Sequence, residues 1–182
     1  MNFNLDDHGF CWVMKTALPS WKGYLDCSGG YGSDGGSPVS DGSVDIVFAP
    51  EGRDNCPLTE RERALVSWLI DNEQAVSEAV KSAIFAAYPA LQESYGYNES
   101  EAAKYMPRIS SVSDLRQLIG LYAVNVHQVV KNDLPYLGFE FGCAWDEEHG
   151  LGVLMHGMRA VEVGEGDTAI LLWMAEQDAA AS

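Results

Sequence analysis

Alternation of large apolar with small or polar residues is cleanest between positions 136 and 145. There Leu137, Phe139, Phe141, Cys143 and Trp145 fall on one side of an extended chain, and Tyr136, Gly138, Glu140, Gly142 and Ala144 on the other. A period of two predicts a strand with one face in the core. The glycines leave the other face bare around Glu140, so a second backbone or a ligand can come close. Upstream, LYAVNVHQVV (121–130) alternates as well, with Tyr122, Val124, Val126 and Val130 on one face and Asn125 and His127 on the other. Lys131-Asn132-Asp133 reads as the turn between the two strands. Downstream, DEEHG reads as a tight hairpin tip leading into residues 151–156, where Leu151, Val153 and Met155 alternate. Gly157 marks a turn into a last strand at 159–163. The pattern predicts a three-stranded antiparallel meander, with 121–130 as a fourth member.

The period changes between residues 57 and 88. Leu65, Trp68, Leu69, Val76, Ala79, Val80, Ala83, Ile84 and Ala87 recur at spacings of three and four, which predicts one long amphipathic helix. Thr59 and Glu62 have the spacing of a capping box. Pro89 is expected to end the helix. Arg61, Arg63, Asp71, Glu73, Glu78 and Lys81 are expected to form its solvated face. Asn98 with Glu101 predicts a second start, for a short helix over 99–106, and Ser111 or Ser113 a third, closed by Gly120.

Near the N-terminus, residues 9–25 predict one or two short strands, with Trp12 and Trp21 as core aromatics and a turn at Pro19-Ser20. VDIVF (44–48) predicts another strand. Together the elements define an α+β fold: an antiparallel sheet, made of the C-terminal meander plus N-terminal strands, packed against one long helix and short helices. A chain of 182 residues fits one such domain. Within it, 28–43 is a flexible glycine-rich loop, 57–110 a helical insertion and 121–173 the C-terminal sheet. The final AEQDAAAS is expected to fray.

Charge narrows the classes of partner. Eleven Lys and Arg stand against 27 Asp and Glu, for a net charge of −16 and a pI near 4.4. The excess is concentrated: residues 133–182 hold ten acidic residues and one basic residue, Arg159. Nucleic acid and anionic membranes are excluded as natural partners, whereas a basic protein surface would be attracted. The N-terminus has neither a basic segment nor an apolar one, and no run reaches the roughly 18 apolar residues of a membrane span. None of the four cysteines (11, 27, 56 and 143) forms a C-x-x-C pair. Reduced thiols in a cytoplasm are the simplest expectation.

Candidate chemistry centres on Asp146, Glu147, Glu148, His149 and His156, with His127 and Cys143 as possible neighbours. Carboxylates and imidazoles ligate metals and move protons. Here, however, neither H-E-x-x-H nor His-x-His is present, and no known metal motif has this spacing. The competing reading is a solvated acidic hairpin loop in which a carboxylate caps turn amides and His149 bonds locally. Cys143 alternates onto the apolar face, which predicts a buried, inert thiol, and His127 is expected to be a satisfied structural histidine. The glycine-rich loop carries Asp34 and Asp41 and no lysine, so it is no phosphate cradle. Neither cofactor, metal nor catalytic residue is assigned.

Tyr136-x-Gly138-Phe139-x-Phe141-x-Cys143-x-Trp145-Asp146-x-Glu148-His149-Gly150-x-Gly152-Val153, followed by Val163-Gly164 and Asp167-Thr168-Ala169, resembles the C-terminal signature of an uncharacterised bacterial family. Its members are domains of unknown function found among candidate immunity proteins of polymorphic toxins. The resemblance covers about residues 121–170 and brings no catalytic residues with it. It implies an α+β fold and a protein that binds and neutralises a cognate toxin; the acidic charge predicts that this partner is basic. The surfaces expected to do so carry Asp34, Asp41, Glu140, Asp146, Glu147, Glu148 and His149. The alternative is a metal-dependent hydrolase, or another enzyme, using Glu140, Asp146, Glu148 and His149.

Overall fold

A computed structural model describes residues 2–26, 39–52 and 56–181. Cys27, Asp34 and residues 28–38 of the glycine-rich loop lie outside the described residues. Among the described residues, seven strands form one sheet in chain order: β1 (Asn4–Leu5), β2 (Trp12–Ala17), β3 (Ser43–Phe48), β4 (Ile119–Lys131), β5 (Leu134–Cys143), β6 (Asp146–His156) and β7 (Arg159–Gly164). The four C-terminal strands are the predicted meander. Asn132 and Asp133, at φ 52° and 60°, make the two-residue turn between β4 and β5, a geometry that matches strand twist. The sheet departs from antiparallel at one place, where β3 runs parallel to β4. The reason lies in the connection, because residues 49–118 carry the helices across one face and return in the same direction.

Those helices are α1 (Glu60–Asp71), α2 (Glu73–Tyr95) and α3 (Glu99–Tyr105). Val76, Val80, Ile84 and Tyr88 of α2 share one buried cluster with Phe139, Phe141, Val153 and Met155 of the sheet. Both predicted capping boxes form, at Thr59/Glu62 and Asn98/Glu101. A third, Ser111 with Asp114, opens a 3-10 turn at Val112–Gln117; Gly120 lies inside β4 and does not close it.

The single long helix is corrected in two respects. The chain breaks at Asn72, whose backbone leaves helical values (φ −111°, ψ 14°) and whose Nδ2 donates to the Trp68 carbonyl at 2.8 Å. The Asn72 N–H keeps its own bond to the same carbonyl at 3.0 Å, so the side chain is a second donor that closes the end of α1. Pro89 then fails to stop α2 and lies inside it. Proline removes one N–H and crowds the preceding turn, at a cost of about 3 kcal/mol. Buried Tyr88 before it, and Leu91 and Tyr95 packed on the core after it, offset that cost. The solvated face is corrected too. Glu73 accepts from the Ser20 amide at 3.0 Å. Lys81 donates to the Ser20 carbonyl at 2.6 Å while lying over the Trp21 and Tyr24 rings. These two charges fasten the 3-10 turn Pro19–Trp21 to α2.

The core strands follow the predicted parity with one slip. A register shift between Leu121 and Ala123 turns Tyr122 outward, to 37% exposure, and puts Leu121, Val124 and Val126 in the core. A bulge flips parity locally, which periodicity alone does not show.

The bare face of β5 is covered by backbone. After β7 the chain makes a 3-10 turn, Gly166–Ala169, which crosses the sheet as a strap. A Cβ on Gly138 would lie 1.7 Å from the Ala169 carbonyl oxygen, and one on Gly152 would lie 2.4 Å from that of Glu165. Only glycine permits this approach. His127, 6% exposed, binds the strap through Nε2 at 3.1 Å from the Ala169 carbonyl.

The end of the chain is not frayed. It forms α4 (Leu172–Ala180), with Ala175 packed on Tyr136 and Leu154. Asp178 Oδ2 accepts from the Tyr136 hydroxyl and from Arg159 Nη2, both at 2.6 Å. Lys131 Nζ donates to the Asp178 and Ala181 carbonyls. Alanine-rich sequence favours helix, and these anchors hold it on the sheet.

Candidate functional site

The DEEHG segment is not the hairpin tip. The turn is Ala144-Trp145, and β6 already begins at Asp146. Trp145 folds inward against Tyr88, ring centroids 5.6 Å apart, and its burial shortens the connection. Asp146 then acts as a local cap: Oδ1 accepts from the amides of Glu148 at 3.2 Å and His149 at 2.9 Å. His149 Nδ1 lies 3.2 Å from the same oxygen. Asp146 Oδ2 accepts from the Tyr95 hydroxyl at 2.8 Å, which joins the hairpin to the last turn of α2. The solvated-loop reading of these residues therefore describes their hydrogen bonds.

Electrostatics follow from that geometry. Burial works against the ionised Asp146, but the His149 amide, the Tyr95 hydroxyl and the His149 ring together hold its carboxyl below the usual aspartate value. The hydrogen bond and charge of Asp146 raise His149, with smaller contributions from Glu148 and Glu165. Burial raises the Tyr95 phenol, helped by Asp146. Glu147, Glu148 and His149 are exposed, whereas the Asp146 side chain is 12% exposed.

The remaining predicted residues separate. Glu140 is 6% exposed and accepts from Asn125 Nδ2 at 3.3 Å. It pairs across the sheet with Gly152, on the face the strap covers, whereas Asp146 bonds to α2 on the opposite face. Glu140 is thus buried, on the other face of the sheet from the Asp146 carboxylate. His156 is also elsewhere, stacked on Tyr136 with Nε2 2.8 Å from the Lys131 carbonyl. Cys143 is buried, its thiol directed at the Asp146 carbonyl. Asp41 is exposed, and its Oδ1 accepts from the Ser43 amide at 2.7 Å. Among the described residues, no three His, Cys, Asp or Glu side chains converge as metal ligands.

Strand register places two of the predicted surfaces at one end of the sheet. Ser43 starts β3 beside the start of β4, and Ile119 of β4 pairs with Cys143, which pairs with Asp146. Asp41 and the β5–β6 hairpin therefore share an end, three strand spacings apart, or about 14 Å.

The same end holds residues that the sequence did not single out. Tyr95 stacks on Tyr97 (5.8 Å, 19°), and Tyr97 meets Tyr105 at 5.8 Å. The Tyr97 hydroxyl donates to the Trp145 carbonyl at 2.6 Å. Beside this ladder lies a cavity of about 310 Å³ whose lining includes Leu91, Ser94, Tyr95, Trp145, Leu151 and Glu165. The available signal was SYGYN, in which two tyrosines flank a glycine that turns the chain at φ 60°.

A seven-stranded, mostly antiparallel sheet with helices on one face, and a strap and helix on the other, defines an α+β domain. Its surface pairs an acidic hairpin with a cavity lined in part by Tyr95. The chain belongs to the family described as Domain of unknown function (DUF6985), whose model matches residues 21–171. That span takes in the meander, α1 to α3 and the strap, and stops before α4. No curated protein and no solved structure matches the chain. Among the described residues, no helix is long and apolar enough to cross a membrane.

Proposed function

We propose that this protein is an immunity protein that binds and neutralises a cognate bacterial toxin in the cytoplasm, through the acidic end of its sheet and without catalysis of its own. The observation that carries the reading is the convergence of Asp41 and Asp146–His149 on one end of the fold, in a chain of net charge −16. Toxins that act on nucleic acids or nucleotides often have basic clefts, and an acidic surface with fixed geometry can occupy such a cleft and speeds encounter. Glu147 and Glu148 are exposed there, and Asp146 holds their strand in place. Lys15 and Lys22 have fields that reach Asp41, and Lys104 one that reaches Glu147; the four carboxylates Asp41, Asp146, Glu147 and Glu148 stand against these three. The resemblance of the C-terminal signature to candidate immunity proteins points the same way.

The alternative hydrolase on Glu140, Asp146, Glu148 and His149 has weaker support, because Glu140 and Asp146 serve opposite faces. The test is co-expression with the C-terminal domain of a candidate toxin sought in the neighbouring gene. Protection of the host and a co-purifying complex are expected. Growth arrest with no complex overturns the reading.

A further inference from the structure

The cavity beside the tyrosine ladder has a shape and polarity that the immunity reading alone does not use. Its volume, about 310 Å³, is at the small end of ligand pockets, which run from roughly 300 to 1,000 Å³. It suits one long side chain better than a nucleotide. Its lining residues include Leu91, Leu151, Tyr95 and Trp145, and Glu165 is the one acidic or basic residue among them. Glu165 is exposed, and its field, with that of Asp146, reaches Tyr95.

The aromatic wall is rigid. The Tyr95 hydroxyl is spent on Asp146 Oδ2, and its ring rests on Tyr97, which is itself tied to the Trp145 carbonyl. An apolar slot with an aromatic face and carboxylate charge at its rim fits an amphipathic cation. The aliphatic stem fills the slot, and the charged head stays at the carboxylate. A planar guanidinium fits better than an ammonium, because it stacks on a ring and pairs a carboxylate with two N–H groups.

We propose that this cavity is the socket for one arginine side chain of a basic partner protein, held between the Tyr95 ring and the Glu165 carboxylate. The inference deepens the immunity reading by naming its anchoring contact. It predicts that a basic partner presents an arginine at the centre of its interface, where such residues dominate binding energy.

The probe is Nα-acetyl-arginine amide, titrated into the full chain and followed by amide NMR shifts, with acetyl-lysine amide and acetyl-norleucine amide as comparisons. The arginine probe is expected to saturate shifts at Tyr95, Gly150, Leu151 and Gly164 in the millimolar range, the lysine probe more weakly and norleucine weakest. Glu165→Gln should weaken the arginine probe at least about fivefold, which is about 1 kcal/mol. Ser94→Trp, at an exposed lining position, should abolish its binding by filling the slot. Equal shifts from norleucine, shifts confined to other residues, or indifference to both variants would overturn the socket. The titration needs no toxin. If the probe binds as described and the co-expressed toxin domain does not, the socket stands and the immunity reading falls. If the toxin domain binds and Ser94→Trp leaves that affinity unchanged, the immunity reading stands and the socket is overturned as its anchor.

Discussion

Replacing Gly138 by alanine tests how the two faces of the sheet are held together. The added Cβ would sit 1.7 Å from the Ala169 carbonyl oxygen and 2.5 Å from its carbon, where ordinary contact begins near 3.4 Å. The obstacle is backbone, so no side-chain rotation relieves it, and the strap must withdraw by more than an ångström. Overpacking of this kind costs about 1–3 kcal/mol. Withdrawal also breaks the 3.1 Å contact between His127 and Ala169. Stranding those buried groups adds about 1–3 kcal/mol. The expected loss is about 2–6 kcal/mol, or a fall in Tm of roughly 4–24 °C for a chain of this size. Gly96→Ala is the matched control. Gly96 lies at φ +60° with nothing within 4 Å of an added Cβ, so only the left-handed backbone cost of about 1–2 kcal/mol applies. Thermal melts followed by circular dichroism read both. If Gly138→Ala melts no lower than Gly96→Ala, the strap does not rest on β5 and the account of the second face is wrong.

Burial pushes His127 down from its ordinary value of 6.5 to about 4, against a smaller raising effect of the Ala169 carbonyl. The fold therefore favours the neutral ring, and this contribution, about 3 kcal/mol, is fully present above pH 6.5 and lost as pH falls towards 4. Urea midpoints between pH 7 and 4.5 should fall less steeply in His127→Gln than in the natural protein, and equal slopes would refute the assignment. Thr59→Ala removes the hydroxyl that accepts the Glu62 amide and should cost about 1 kcal/mol in urea titration; no measurable change would mean that the start of α1 contributes nothing to global stability. Asp178→Ala frees Tyr136 and Arg159 together. It should speed amide exchange across 172–180 while leaving α2 unchanged, and uniform acceleration would show that α4 is not a separately anchored unit.

Elements whose side chains alternate against a core were legible in the sequence. Leu137 to Trp145 gave the face of β5 directly, and Thr59, Glu62, Asn98 and Glu101 marked two helix starts. Features set by a distant partner were not legible. Pro89 reads as a stop, yet packing of Tyr88, Leu91 and Tyr95 carries α2 past it. The tail reads as frayed, because nothing local reveals that Asp178 meets Tyr136, 42 residues away. Gly138 and Gly142 did signal a close approach to β5, and Gly138 received it from a backbone. At the candidate site, DEEHG gave the acidic chemistry but not its frame. Tyr95 is 51 residues from Asp146, and Glu165 comes to the cavity only because β7 returns beside β6.

The central claim is that an acidic sheet end binds a basic partner. Its most direct test is the affinity of the purified chain for the proposed cognate toxin domain, sought among the products of neighbouring genes, at low and high salt. The account predicts a Kd in the nanomolar range or tighter, weakened at least about tenfold by raising salt from ~0.05 to ~0.5 M, as screening removes the steering charge. Neutralising Glu147, Glu148 and Glu165 together should slow association while leaving the melting temperature unchanged. An affinity weaker than micromolar, or a tight complex indifferent to both salt and these substitutions, would contradict it.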